Sequence, residues 1–348
     1  TEWQSGFDLN KGPLYQIGYL YGYEDGSARI YVAMHHLIVD GVSWRIIAED
    51  LKHLYEGKSF PLKGSSYRQW VACVSKYAQQ HAKESKYWSE QLQGLPAYKT
   101  GALQEPSAGR VELSAELTQR LLQEAPGAYH TEINDLLLTA LAYALRELND
   151  QEVQGITLEG HGREQIDEAI DHSHTVGWYT SMYPVRLELG TTIGESIGKI
   201  KEGLRSVPNK GIGFGAFAVS KETAYGFSDL PPISFNYLGQ FSATEGDWEI
   251  TTEDSGQSAS SLNKGYHAIS INGQVSEGKL FFSVVTRLGI ALSEKLAASF
   301  QNHLTIITNH CVDQLSLEGS SYTPSDFGTV KISQSLLDKL QFQIENEE

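Results

Sequence analysis

His35-His36-Leu37-Ile38-Val39-Asp40-Gly41-Val42-Ser43-Trp44 is a stretch in which the hydrophobic period changes. Upstream, Ile30, Val32 and Met34 alternate with Arg29, Tyr31 and Ala33, the period-two pattern of a half-buried strand. Downstream, Trp44, Ile47, Ala48, Leu51 and Leu54 recur at helical spacing. The spacing predicts a strand that ends at the histidines and a helix that starts within a few residues of Asp40, with Gly41 allowing the tight turn between them. On this alternation His36 continues the Ile30/Val32/Met34 face and His35 points the other way. An imidazole at such a corner, with an unperturbed pKa of about 6.5, can give or take a proton near neutrality. The alternative reading of the same pair is two structural histidines closing a strand.

The chain has 348 residues, 40% hydrophobic and 20% charged, enough for one large core or two smaller ones. A formal net charge of −16 does not suit nucleic acid or an anionic membrane surface, both of which demand clustered Lys and Arg. No apolar run approaches the ~18 residues of a membrane span, and Thr1-Glu2-Trp3-Gln4-Ser5 lacks the basic and apolar regions of a signal peptide, so the expected location is cytoplasmic. Cys73 and Cys311 each fall inside a helical pattern and read as reduced core residues. His172 and His174 form a short HxH, but adjacent strand histidines such as His35 and His36 face opposite ways and no third ligand stands at a metal spacing; no metal is expected.

Residues 1–98 read as strand, strand, helix and then one long helical stretch through Tyr67, Trp70, Val71, Val74, Tyr77 and Ala78 to Trp88 and Leu92. Gly94 to Ser107, with Pro96, Gly101 and Pro106, reads as a linker, and 99–348 as a second lobe. There the pattern predicts a strand and helix from Arg110 to Ala125, a helix from Thr131 through Leu145 and a strand over 155–159. A capping box at Thr192-Ile193-Gly194-Glu195 starts another helix. Strands over 233–238, 266–275 and 279–287 precede a final long helix from Ser293. Mixed elements without strict alternation point to an α+β fold with two open-faced sheets, and no internal repeat is found. Gly211-Ile212-Gly213-Phe214-Gly215 lacks the spacing of a dinucleotide-binding loop and reads as a structural loop, while Ser255 to Ser261 reads as a polar crossing segment or a disordered one.

Leu158-Glu159-Gly160-His161-Gly162-Arg163-Glu164 is the second informative string. A carboxylate closing an apolar strand, flanked by glycines that let other backbone or a ligand come close, suits a general acid or base; alone, a glutamate at a strand end is more often a solvated rim residue. HHLIVDG with its continuation VSW, together with TEINDLLL from Thr131, LEGHGRE, TVGWYTSMYPV from Thr175, PNKGIGFG from Pro208 and FNYLGQF from Phe235, resembles the epimerization domains of nonribosomal peptide synthetases. These are a branch of the condensation-domain superfamily, which is chloramphenicol acetyltransferase-like. The strings lie in order and span most of the chain.

The resemblance implies two chloramphenicol acetyltransferase-like lobes forming a V, and a reaction that inverts the α-carbon of an aminoacyl or peptidyl thioester. By position, His36 and Glu159 are the catalytic pair. Asn236 and Tyr237 match the pocket-lining pair, with Tyr237 either hydrogen-bonding the intermediate or serving as a core aromatic, and His35 stands beside them as a pocket residue. Asp40 is implied to be structural, ion-paired with Arg186 in Met182-Tyr183-Pro184-Val185-Arg186, since a buried carboxylate needs such a mate. No cofactor of its own is implied: the substrate rides on the phosphopantetheine of an upstream carrier domain, and a downstream condensation domain selects the D-isomer.

The family pattern also implies an early Pro-Ile-Gln segment ahead of the HH motif, which here starts at His35, so the first lobe is expected to be incomplete in this chain. No LGGxS-type phosphopantetheine site or adenylation motif is found in it. Two other functions compete: a peptide-bond-forming condensation domain, in which His36 would assist attack of an amine on the thioester, and a noncatalytic docking domain, which would give no reason for His36 and Glu159 to occur together.

Overall fold

A computed structural model describes residues 2–60, 62–96, 103–220, 223–241, 248, 251, 253, 255–256, 259–260, 263, 267–328, 332–337 and 339. The chain divides into two compact units, one of Thr1–Gln80, Gly160–Ser181 and Ala243–Gly265, the other of His81–Glu159, Met182–Ser242 and Tyr266–Glu348. The expected boundary at residue 98 lies outside the described residues. The packing divides the chain after Gln80 instead and returns 160–181 to the first unit.

In the first unit, a single-turn helix α1 (Glu2–Ser5) precedes the antiparallel hairpin β1 (Tyr15–Leu20) and β2 (Arg29–Met34), in register Tyr15 with Met34 and Ile17 with Val32. The expected corner follows: a 3₁₀ turn over His36–Ile38, then α2 (Gly41–Tyr55), with Asp40 as its N-cap. α3 (Tyr67–Gln80) buries Trp70 and Tyr77. The alternation located the strands but not the side that is covered. Ala33 is the buried residue of β2, while Tyr15, Ile17, Tyr19 and Ile30 are exposed. In α2 likewise, Ser43 and Ile46 are buried, whereas Trp44 and Leu54 of the apolar stripe are exposed.

The single long helix expected from Tyr67 to Leu92 is two. α3 ends at Gln80, and α4 (Glu84–Leu92) belongs to the second unit. Trp88 is the reason: fully buried, it donates its indole N–H to Glu84 Oε1 at 2.9 Å and packs 5.5 Å from the ring of Phe214 and 6.2 Å from that of Tyr183. Both helices keep an apolar side, so the period runs through the turn between them.

The rest of the second unit runs β3 (Ser107–Glu112), α5 (Ala115–Gln119), α6 (Ile133–Asn149), β4 (Val153–Gly160), β5 (Ser181–Glu188), α7 (Ile193–Arg205), α8 (Ile212–Ala218), β6 (Ile233–Phe241), β7 (Ile269–Ser276), β8 (Lys279–Thr286) and α9 (Ile290–Leu317). One π turn and one 3₁₀ turn carry the chain from α5 to Ala128. The strands form one sheet in the order β3-β8-β7-β6-β4-β5; β6 is parallel to β4 and β7, and β8 is antiparallel to β7 and β3. α6 is buried at every position from Asp135 to Leu145, as a helix apolar on all sides requires, and packs against α7 and α9. Phe235, Phe282 and Phe300 pack in tilted contacts through the core with centroids 5.6 and 5.1 Å apart. The α+β expectation holds.

Thr192 caps α7 as its motif predicts, its Oγ1 accepting the Glu195 N–H at 3.1 Å, and the Glu195 carboxylate takes the Thr191 N–H at 2.8 Å. Gly211-Ile212-Gly213-Phe214-Gly215 is not a loop. Gly211, at φ 87°, caps the short helix α8, and the Tyr183 ring fills the space a Cβ would occupy there. The strand expected from Tyr266 begins at Ile269; Tyr266 itself, and Gln257, Ser258 and Ser261 of the Ser255–Ser261 segment, lie outside the described residues. Among the described residues, no helix is long and apolar enough to cross a membrane.

Trp88 tests the reassignment of α4. Trp88→Ala is expected to cost about 3–5 kcal/mol, the range for emptying a buried aromatic site, read as a lowered urea midpoint with an unchanged slope.

Candidate functional site

β4 is a central strand, buried from Gln154 to Leu158, and emerges at Glu159. Its parallel register with β6 pairs Thr157 with Ser234 and Leu158 with Phe235, which carries Glu159 alongside Asn236. The Asn236 amide donates to Glu159 Oε2 at 2.9 Å. Both residues are half-buried, so the carboxylate is fixed in orientation without being sealed from a ligand. Tyr237, next on β6, lies 6.3 Å from the Phe282 ring, and burial pushes its phenol pKa above the ordinary value. It therefore remains a protonated donor at neutral pH. Glu159 and Asn236, expected from their motifs, thus come together where β4 ends beside the middle of β6, while Tyr237 alternates to the other face of β6, with Phe235 beside the Phe282 ring.

The first unit holds the histidines. The strand stops at Met34, so His35 and His36 do not continue its alternation. His35 is extended and caps the 3₁₀ turn, its Nδ1 accepting the Leu37 N–H at 3.2 Å, with Phe7 edge-on at 5.9 Å. This spends one imidazole nitrogen on local structure. His36, on the turn itself, is exposed and meets the Trp178 indole edge-to-face at 5.0 Å and 61°.

Asp40 is almost fully buried and holds this corner. Oδ1 accepts the Ser43 N–H at 2.7 Å, and Oδ2 accepts the Tyr179 N–H at 3.0 Å. Within its own unit its ion-pair partner is Arg163, a residue the motifs did not assign to it. The Arg163 guanidinium, 7% exposed, reaches Asp40 Oδ1 at 3.4 Å and Ser43 Oγ at 2.9 Å. Its other terminal nitrogen donates to the carbonyls of His172 and Thr175 at 2.9 and 2.8 Å, and its plane lies 3.9 Å from the Tyr179 ring centre. Arg186 belongs to the second unit, where it donates to the Gln93 carbonyl at 2.6 Å behind α4. The arginine of the Pro-containing strand is thus committed to holding α4, and the one inside LEGHGRE takes the carboxylate.

Gly162, at φ 66°, is the glycine that close approach requires: a Cβ there would collide with the Tyr179 carbonyl. Burial lowers the His172 pKa and the ring packs edge-on against Trp70 at 4.7 Å, so this histidine is structural. Among the described residues, no group of three or more His, Cys, Asp or Glu side chains is placed to hold a metal ion. Arg163, Ser43, Tyr67 and Trp178 were not singled out from the sequence, although three of them lie inside strings that were: Ser43 in VSW, Arg163 in LEGHGRE and Trp178 in TVGWYTSMYPV.

A family model described as Condensation domain matches residues 1–324. The chain belongs to the condensation-domain family. A crystal structure of the epimerization domain from the third module of tyrocidine synthetase B is 33% identical, with a TM-score of 0.78 over 90% of this chain and 75% of that one. N-(5-amino-5-carboxypentanoyl)-L-cysteinyl-D-valine synthase of Amycolatopsis lactamdurans is 38% identical over 89% of this chain and 9% of its own length. Surfactin synthase subunit 1 of Bacillus subtilis (strain 168) is 37% identical over 97% of this chain and 10% of its own length. The chain therefore spans about a tenth of those synthetases. The first condensation domain of the calcium-dependent antibiotic synthetase shares the fold at a TM-score of 0.60 with 16% identity.

The two arginines separate by stability. Arg163→Met strands a buried carboxylate and is expected to cost roughly 3–5 kcal/mol, whereas Arg186→Met, which loses a hydrogen bond to a carbonyl, is expected to cost about 1 kcal/mol. Thermal unfolding of the two variants side by side checks the order.

Proposed function

We propose that this chain is an epimerization domain, inverting the α-carbon of an aminoacyl or peptidyl thioester carried on the phosphopantetheine of a carrier domain. The observation that supports it best is the Glu159 carboxylate at the end of β4 with Asn236 donating to it. Assisting amine attack on a thioester calls on one general base, which His36 alone could supply. Inversion calls on two proton-transfer groups, because the proton must leave one face of the carbon and arrive at the other.

Glu159 and His36 are the two groups. One removes the α-proton, and the C–H electron pair moves into the thioester to form an enolate. The other, in its protonated form, delivers a proton to the opposite face, and the pair is reset through solvent. Asn236 positions Glu159. Asp40 and Arg163 touch no reacting atom and act by fixing the corner that carries His36. The reaction calls for a carrier domain upstream and a D-selecting condensation domain downstream, and the 33% identity to a solved epimerization domain supports the reading.

The test mixes the protein with a carrier protein charged in turn with a panel of L-aminoacyl groups and reads the chirality of the hydrolysed amino acid. The expected product is a mixture of L- and D-isomers with the thioester intact and its mass unchanged. A joined product on addition of a second charged carrier would mark a condensation domain, and no change with any substrate would favour a docking role. In heavy water, Glu159→Gln and His36→Ala are each expected to slow inversion by about 10²–10⁴-fold while one variant still exchanges the α-proton of one enantiomer for solvent deuterium. Parental rates of inversion in both would remove both assignments.

A further inference from the structure

We propose that Trp178 is a positioning residue for His36, its indole setting the orientation in which the imidazole exchanges a proton; this rests on the epimerization reading above. Three observations within the first unit carry it. The backbone on both sides of Trp178 is clamped: Ser43 Oγ accepts the Gly177 N–H at 3.1 Å and donates to the Gly177 carbonyl at 2.9 Å, Asp40 takes the Tyr179 N–H, and the Tyr67 hydroxyl donates to the Trp178 carbonyl at 2.6 Å. So much fixation is spent on a residue whose own side chain is 41% exposed. The first two anchors are the same Asp40 and Ser43 that start α2 and therefore fix the turn carrying His36. Histidine and indole are held by one set of buried polar groups.

The second observation is the contact itself. The two rings meet edge-to-face at 5.0 Å and 61°, inside the range in which ring quadrupoles favour that arrangement. The third is what the imidazole lacks. A proton-transferring histidine is ordinarily oriented by a hydrogen bond at the nitrogen not in use. Among the described residues of its unit, His36 has no hydrogen-bond partner on either ring nitrogen, and its ring is exposed. Rotation about its outer side-chain bond would interchange Nδ1 and Cδ2. The indole on one side of the imidazole makes the two orientations unequal, which does the work elsewhere given to a carboxylate or carbonyl.

The experiment compares Trp178→Ala, Trp178→Phe and His36→Ala with the parent protein, using an L-aminoacyl carrier protein that the parent inverts. Because Trp178 is exposed, both variants should keep the parental melting temperature. Trp178→Ala is expected to lower kcat for inversion about tenfold with KM unchanged, and Trp178→Phe to recover most of it, since phenylalanine keeps an aromatic face. The histidine ring-proton resonances that vanish in His36→Ala should show ring-current displacement in the parent, lose it in Trp178→Ala and largely keep it in Trp178→Phe. His36→Ala inactive with Trp178→Ala at the parental kcat would overturn the positioning role alone. So would a loss confined to KM, or a kcat loss that Trp178→Phe does not recover. His36→Ala inverting at the parental rate, or a parent that inverts none of the panel, would overturn the epimerization reading and this inference with it.

Discussion

The carboxylate of Asp40 ties together two segments 139 residues apart, taking the N–H that starts α2 on one oxygen and the Tyr179 N–H on the other. Much of the arrangement around His36 follows from that. A helix whose first N–H groups are satisfied by an N-cap side chain has a fixed starting point, and the turn before it inherits the position. Arg163 keeps the buried charge from being stranded and spends its remaining donors on the carbonyls of His172 and Thr175, so 163–175 is folded around the same guanidinium. In this unit the polar groups specify the geometry, and the apolar residues fill in around them.

The two proposed proton-transfer groups are built in different ways. Glu159 stands on a strand with neighbours on both sides, and its orienting amide comes from the next strand, so moving the carboxylate would disturb ladder hydrogen bonds. His36 stands on a single 3₁₀ turn with an aromatic neighbour. The first arrangement is stiff through its backbone. The second depends on what surrounds the side chain.

Local signals in the sequence survived contact with the structure. The corner at His35–Gly41, the Thr192 cap and the strands that carry Glu159, Asn236 and Tyr237 are all decided by neighbours within a turn or a register step, and all stand close to where their patterns put them. What failed was long-range. An alternation shows which face of β2 is apolar but not which face is covered, and here Ala33 is covered while Ile30 is not. The helical period ran unbroken from α3 into α4 because nothing in it records that Trp88 belongs to another core. That Arg163 folds back onto Asp40 across 123 residues is likewise invisible to any local pattern, because no spacing in LEGHGRE records it.

Gly162 has a practical consequence for anyone diversifying this domain. Its left-handed backbone and the Tyr179 carbonyl pressed against it leave no room for any side chain. A library randomised across LEGHGRE would therefore return glycine at this position from nineteen failed alternatives, and would do so even under selection for folding alone. Enrichment there would report on the carbonyl of a residue seventeen positions later, the difference between 179 and 162, and would carry no information about substrate choice. Residues that shape the pocket have to be sought where the backbone tolerates a Cβ.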